Sequence, residues 1–431
     1  MKTSLLLSAC TLGILASTAP ALAASDQLPS REEMWQMIQM QQKQIEALQS
    51  QIQTHDQKIA RTETKVEETA KVAETAQKTV ANIEPAAGGN GAGNGWWNKT
   101  SIGGYGELHY SGGSKDTLDL HRFVVNLNHE FNEDIRLHSE IEIEHALAGD
   151  GEAGEVEVEQ AYVEFDLTED DAHRAKAGVF LVPVGILNEK HEPPTFFGVE
   201  RNPVESNIVP STWWEGGAAL SGNLGQSGLS YDIAAHSGLK TPTTGSNAYK
   251  IRNGRQKTSE AEATDPAFTG RLKWTGYPGV ELGATAQYQK DVSQNSGDDS
   301  NVDATLLEAH ADLRKGGWGM RALYARWDLD GSAPKSTGRD EQYGWYVEPS
   351  YRFDVPFGYD GEGELGVFAR YNEWDNNAGA SNSPTEFEQT DVGLNYWPIK
   401  NVVLKADMAF IDGPTDSEDD EVLNLGVGWQ F

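Results

Sequence analysis

From residue 101 to the C-terminus, apolar and polar side chains alternate with a period of two, in short runs broken by polar, Gly-rich segments. The last run is the clearest. Leu423, Leu425, Val427, Trp429 and Phe431 fall on one face, and Asn424, Gly426, Gly428 and Gln430 on the other. Just before it, Leu404, Ala406, Met408 and Phe410 alternate with Lys405 and Asp407. The same rhythm runs through Phe123-Val125-Leu127, Ala161-Val163-Phe165, Leu282-Ala284-Ala286-Tyr288, Leu307-Ala309-Ala311-Leu313 and Tyr343-Trp345-Val347. Such strands suit lipid on one side and water on the other. A soluble antiparallel sandwich also alternates. Two features favour a membrane barrel: the chain ends on an aromatic, Phe431, inside a strand, and connection lengths alternate.

The pattern predicts sixteen strands, at 102–111, 117–131, 135–147, 155–168, 173–184, 215–224, 228–238, 267–275, 279–290, 303–315, 317–328, 341–355, 363–375, 386–397, 401–412 and 421–431. Tight turns are expected near 132–134, 225–227, 276–278 and 398–401. Longer polar connections are expected at 148–154, 185–214, 239–266, 291–302, 329–340, 376–385 and 413–420. Short and long connections in alternation mark an outer-membrane barrel, with the long ones outside the cell. The expected fold is therefore all-β, a 16-stranded antiparallel transmembrane β-barrel over 101–431. Sixteen strands are wide enough to leave an aqueous channel.

Residues 31–84 follow a different rhythm and contain no Gly or Pro. Ile38, Ile45, Ile52, Ile59, Val66, Ala73 and Val80 recur every seven residues. The partner heptad positions hold Met34, Gln41, Leu48, His55, Thr62, Thr69, Ala76 and Ile83. This predicts an N-terminal α-helical coiled coil, or else one amphipathic helix, of about 80 Å if fully helical. A Gly/Asn-rich linker over 85–100 follows, with Trp96 and Trp97 where an aromatic girdle would begin. Residues 1–23 read as a signal peptide: Lys2, the apolar stretch from Leu5 to Ala19, and Ala21-Leu22-Ala23 before the cut. A lipoprotein cleavage box at Leu7-Ser8-Ala9-Cys10 is the less favoured reading.

Composition narrows the function. The net charge of -32 argues against a nucleic-acid partner. Mean hydropathy is -0.55, and no stretch beyond the N-terminus is apolar enough for a spanning helix. The only cysteine, Cys10, lies in the signal segment, so no disulfide framework, thiolate metal site or covalent haem is expected, and no cofactor. Much of the acidic excess reads as solvated loop surface.

Candidate chemistry lies on the polar face. The register points Arg122, Arg174, Lys176, Arg271, Lys273, Arg314, Arg326, Arg352, Arg370 and Lys405 inward. It does the same for Glu107, Glu140, Glu142, Glu144, Glu164, Asp166, Glu281, Glu308, Asp312, Glu348, Asp391 and Asp407. The named candidates for pore lining are Arg174, Lys176, Arg271, Lys273, Arg314 and Arg370, with the acidic ladder Glu140, Glu142 and Glu144. Opposite signs across a pore would set up a transverse field; each side chain also has the plainer role of cross-strand ion pair. The connection from Gly185 to Trp214 carries Pro193, Pro194, Pro203 and Pro210, and the charged residues Glu189, Lys190, His191, Glu192, Glu200, Arg201 and Glu205. A stiff, charged segment of this kind is a candidate constriction loop.

Catalytic readings are weak. Glu189-Lys190-His191-Glu192 lacks the spacing of a zinc peptidase, and no G-x-S-x-G or phosphate loop is present. No metal site is expected; the acidic runs at 298–301 and 416–420 read as solvated loops rather than Ca²⁺ sites.

Several segments resemble the phosphate-selective porin O/P family: Val182-Pro183-Val184-Gly185, His191-Glu192-Pro193-Pro194, Gly198-Val199-Glu200-Arg201-Asn202-Pro203-Val204-Glu205, Trp213-Trp214-Glu215-Gly216 and Phe368-Ala369-Arg370-Tyr371. The resemblance implies a homotrimer in outer-membrane lipid, with diffusion of small hydrophilic solutes or ions through each subunit. Phosphate selectivity carries over poorly, because the inward basic residues are interleaved with acids. The coiled coil would sit in the periplasm and touch peptidoglycan or a periplasmic protein. The alternative from another class is a tether, whose barrel only anchors that stalk.

Overall fold

The computed structural model describes residues 95–431, apart from 114, 150, 296–300, 362, 381–383 and 416, together with residues 31, 32, 35, 39, 40, 42, 43 and 45. Those eight are helical and exposed. The rest of the expected coiled coil, the signal segment and most of the linker lie outside the described residues.

Trp96–Lys99 form a single helical turn. The strands then follow in order: β1 (Thr100–Gly112), β2 (Thr117–Glu130), β3 (Ile135–Glu144), β4 (Val156–Asp166), β5 (His173–Leu181), β6 (Trp214–Asn223), β7 (Leu229–His236), β8 (Ala267–Trp274), β9 (Val280–Gln289), β10 (Asp303–Lys315), β11 (Trp318–Asp330), β12 (Glu341–Val355), β13 (Gly363–Asp375), β14 (Phe387–Ile399), β15 (Val402–Asp412) and β16 (Asp420–Gln430). Each pairs antiparallel with its sequence neighbours, and β1 pairs with β16, so the sheet closes into a sixteen-stranded barrel. Phe431 completes the seam: its amide donates to Gly104 O (2.8 Å), and its carbonyl accepts from Gly104 N (3.0 Å).

The two faces separate as the pattern predicts. Leu404, Phe410, Leu423 and Leu425 point outward and are exposed; Lys405, Asp407, Asn424 and Gly428 point inward and are buried. Strand β11 departs from the expectation. Arg321, Leu323, Ala325 and Trp327 face the interior, and Met320, Tyr324 and Arg326 face out. Arg326, expected inside, instead sits on the outer face and pairs with Asp328 (2.7 Å) and Glu341 (2.9 Å). The reason is packing: the inner face of β11 is apolar because connecting segments bury it.

Parity also breaks at three register shifts among the described strands, one of them between Tyr396 and Ile399 of β14 and two among β1–β4. Of these two, one lies between Glu107/Leu108 of β1 and their β2 partners, and the other between Glu140/Ile141 of β3 and their β4 partners. The second inserts Glu159 beside Gln160, and Glu159 is fully buried.

The long connections lie at the barrel end opposite β1's start. Three of them, 182–213, 237–266 and 290–302, reach inward. With Leu306, Leu323, Trp327, Leu329, Tyr346 and Trp374 they form one buried apolar cluster. It fills the lumen on the β10–β13 side of that end.

The outward face should tolerate no charge near its middle. Leu394 is exposed on that face, midway along β14. Leu394→Arg should cost about 2–4 kcal/mol of folding free energy in lipid vesicles, read from reversible denaturant unfolding.

Candidate functional site: the lumen and its inner loop

Residues 182–213, between β5 and β6, are called here the inner loop. Its apolar residues Val184, Ile186, Phe196, Val204, Ile208 and Trp213 are buried in the apolar cluster, which draws the segment inward. Two polar side chains shape it. Asn188 closes the neck: Nδ2 donates to Val182 O (2.7 Å) and Trp213 O (3.0 Å), and Oδ1 accepts from Trp213 N (2.7 Å). Glu205 is fully buried. Its carboxylate accepts from Ile186 N (2.6 Å), Leu187 N (2.7 Å), Asn202 Nδ2 (3.2 Å) and Tyr346 Oη (2.8 Å), so the charge is met by four donors.

The loop backbone is then fastened to the wall at many points. Arg122 of β2 donates to His191 O (2.8 Å), Trp397 of β14 to Pro194 O (3.2 Å) and Arg321 of β11 to Thr195 O (3.0 Å). Asn395 of β14 donates to Phe196 O (3.0 Å), and Arg370 of β13 to Phe197 O (3.3 Å). Val199 N donates to Asp407 of β15 (2.7 Å). On β16 the seat is made of glycine. A Cβ at Gly428 would stand 2.3 Å from Pro193 Cβ, and one at Gly426 3.0 Å from Val199.

The loop lines two cavities of note, and a third lies among the long connections. At the end where β1 starts and β16 finishes, one of about 550 Å³ is lined by Lys190, Thr195, Glu281, Asp312, Arg314, Arg321 and Arg352. A second, of about 190 Å³, is lined by His138, Glu140, Gln160, Glu189, His191 and Glu192. At the opposite end, one of about 620 Å³ is lined by Glu155, Glu157, Trp214, Arg255 and Lys257. Basic side chains thus dominate one side of the loop and carboxylates the other.

Each candidate residue has a definite place. Arg370 lies between Glu348 (3.0 Å) and Asp391 (2.9 Å), and Arg271 between Asp232 (2.7 Å) and Glu189. Arg314 binds Asp312 (2.9 Å), and Arg174 stands at the barrel mouth near Asp166 (3.2 Å). Lys176 rests on the rings of Tyr162 and Phe180, at 5.3 and 4.8 Å, and Lys273 is half-buried on the inner face. On the loop, Lys190 binds Glu281 (2.9 Å), Glu200 binds His109 (2.7 Å), and Arg201 donates to Thr212 Oγ1 (2.6 Å). Glu192 faces the smaller cavity. Glu144 gathers with Glu142 and Glu157. The basic residues form no continuous ladder, because most are tied to a carboxylate.

The structure does bring Glu140, Glu142 and His191 together, around Arg122 and Tyr105. Their partner Glu159 was hidden by the bulge in β4, and Arg321 by the register of β11. His191 is buried between Glu140 (3.9 Å) and Glu159 (3.8 Å). Burial opposes its charge, but the two carboxylates outweigh that and raise its pKa to about 9. Burial likewise opposes the charge of Glu189, yet Arg271 holds its carboxyl below the usual range.

No family model matches the chain. A protein of Aquifex aeolicus (strain VF5), described only as uncharacterized, is 30% identical over 356 residues, covering 77% of this chain and 80% of its own length. The chain belongs to that protein's family. Among solved structures, the outer-membrane channel DcaP of Acinetobacter baumannii matches with a TM-score of 0.53 at 14% identity, over 77% of this chain and 97% of its own. The anion-selective porin of Comamonas acidovorans matches at 0.52 and 11%, over 77% and 99%. Salmonella typhi OmpF, in complex with daunomycin, matches at 0.51 and 16%, over 77% and 97%. The described barrel therefore has the outer-membrane porin fold.

Two outcomes test the inner loop. Glu205→Ala strands two loop amides and Tyr346 Oη, so the loop should lose at least about 2 kcal/mol of local stability. Limited proteolysis of folded protein should then cut within 182–213, which wild type resists. The second concerns His191 in EDTA-containing buffer. Tyr105, Arg122, Glu140, Glu159 and Arg201 face it. Its folded pKa is raised, so its stabilisation is complete below about pH 6.5 and is lost as pH rises through about 9. The gap in Tm between wild type and His191→Gln should shrink over that window.

Proposed function

We propose that the protein is a porin of the bacterial outer membrane, giving passive diffusion to small hydrophilic solutes and ions. The inner loop carries this reading: a charged segment held across a closed barrel, with cavities at both ends of the lumen. β4 contributes to both the 620 Å³ and the 190 Å³ cavity, through Glu157 in the one and Gln160 and Tyr162 in the other, and we place the solute path on that side. The apolar cluster beside β10–β13 leaves the opposite side at the loop end filled.

Selection on this path is by size and polarity more than by sign. Lys190, Arg314, Arg321 and Arg352 face one cavity, and Glu140, Glu189 and Glu192 the other. Such a field orders water and disfavours apolar solutes. Pairing of Arg271, Arg314 and Arg370 with carboxylates leaves little net positive field, so any anion preference is weak. A homotrimer, and a periplasmic stalk bound to peptidoglycan or a periplasmic protein, complete the proposal on the strength of the sequence.

Planar-bilayer recordings of purified protein test it. In a KCl gradient the cation-to-anion permeability ratio should lie within about threefold of unity, with no block by phosphate. Strong anion selectivity with phosphate block would instead mean that Lys190 and its arginine neighbours govern passage. Absence of any channel would sink the porin reading in favour of the tether.

A further inference from the structure

We propose that His191, Glu140 and Glu159 form a site for one divalent transition-metal ion, which fastens the inner loop to β3 and β4. The three side chains come from three separate segments, and all are buried: His191 is 3% exposed, Glu140 5% and Glu159 0%. One donor atom from each lies within 4.8 Å of the others. His191 Nε2 is 3.9 Å from Glu140 Oε1 and 3.8 Å from Glu159 Oε2. An ion held at about 2.1 Å from two donors in a tetrahedral arrangement puts those donors about 3.4 Å apart. The two measured gaps exceed that by about 0.4–0.5 Å.

The second observation is Glu159. Both of its carboxylate oxygens are buried without a hydrogen-bond partner among the described residues. A carboxylate in that state is costly unless something positive meets it. Arg122 bonds Glu107 (2.6 Å) and the His191 carbonyl (2.8 Å), and Arg201 bonds Thr212 (2.6 Å); Arg122, whose Nη1 has no partner among the described residues, and His191 meet the carboxylate through charge but not through a hydrogen bond. Glu142 adds a third carboxylate beside Glu159.

The imidazole is oriented for ligation. Nδ1 lies 3.1 Å from the Asn188 carbonyl, which only accepts, so Nδ1 carries the hydrogen. In the neutral ring Nε2 then offers its lone pair toward the two carboxylates, as outer partners arrange it in metal proteins. In the ion-free protein at neutral pH Nε2 carries a proton and stands 2.8 Å from Tyr105 Oη; an entering ion displaces that proton to solvent, and Tyr105 Oη withdraws or becomes a fourth ligand. One nitrogen with two carboxylates suits borderline Zn²⁺, and next to it the harder Mn²⁺, better than Ca²⁺ or Mg²⁺, which prefer all-oxygen sites. The inference does not depend on the channel reading.

The experiment uses the full-length protein in detergent, stripped with EDTA and dialysed, then titrated with ZnCl₂ or MnCl₂ at neutral pH. Metal content after gel filtration and calorimetric Kd are the readouts. Wild type should retain one ion per chain. His191→Gln and Glu159→Gln should weaken binding by at least about a hundredfold, while His138→Gln, in the neighbouring cavity, should leave it unchanged. Heat-modifiable electrophoretic mobility checks that each variant is folded. X-ray absorption of zinc-loaded wild type decides the matter even where a variant misfolds, and should show one imidazole nitrogen with carboxylate oxygens. No retained ion, equal affinity in the variants, or an all-oxygen shell would each overturn the proposal; the last would move the ion to Glu142, Glu144 and Glu157.

Discussion

A backbone surrounded by lipid has no water to bond with, so every amide and carbonyl must find a partner in the protein. The pairing of β1 with β16, completed by Phe431 and Gly104, meets that demand by removing the sheet's edges. The rest depends on this closure. The outer face is left free to be uniformly apolar, and all chemical variety is pushed inside. There it must be satisfied at close quarters, which explains why lumen charges come in pairs and why a loop with eleven buried hydrophobic side chains folds inward rather than out.

The barrel was legible in the sequence because its signal is local. Leu423 to Phe431 display the period of two without reference to any other strand, and the breaks between runs mark the connections. The phase of a strand is also local, provided one face is polar. In β11 it is not: Leu323, Ala325 and Trp327 alternate with Ala322 and Tyr324, so both faces read as apolar and a one-residue shift costs the pattern nothing. Arg326, the one strong charge, then misleads, since it is outside by virtue of lying at the rim beside Glu341.

The inner site was less legible, for two reasons. A bulge adds a residue without any mark in composition, and so Glu159 reads as a lipid-facing oddity rather than a lumen acid. The other reason is distance. His191 meets Glu140 and Glu159 only when the loop turns back into the barrel, and the run Glu189-Lys190-His191-Glu192 carries no hint of partners so far upstream. What could be read was the loop's character: four prolines and a dense set of charges in one long connection. Its seat, made from glycines on β16, follows from the small inward residues of the last strand.

That seat bears on the order of assembly. Val199 is bonded to Asp407, and Pro193 lies against Gly428, so the loop rests on strands some two hundred residues further along the chain. Closing a loop of some two hundred residues is entropically slow. The inner loop therefore cannot nucleate the barrel. It has no complete wall to dock on until β16 meets β1, and during insertion the lumen stays wide. The full seat, on β10–β13 and on β15 and β16 together, exists only in the closed barrel, which makes the seated loop an internal marker that the cylinder around it has been finished.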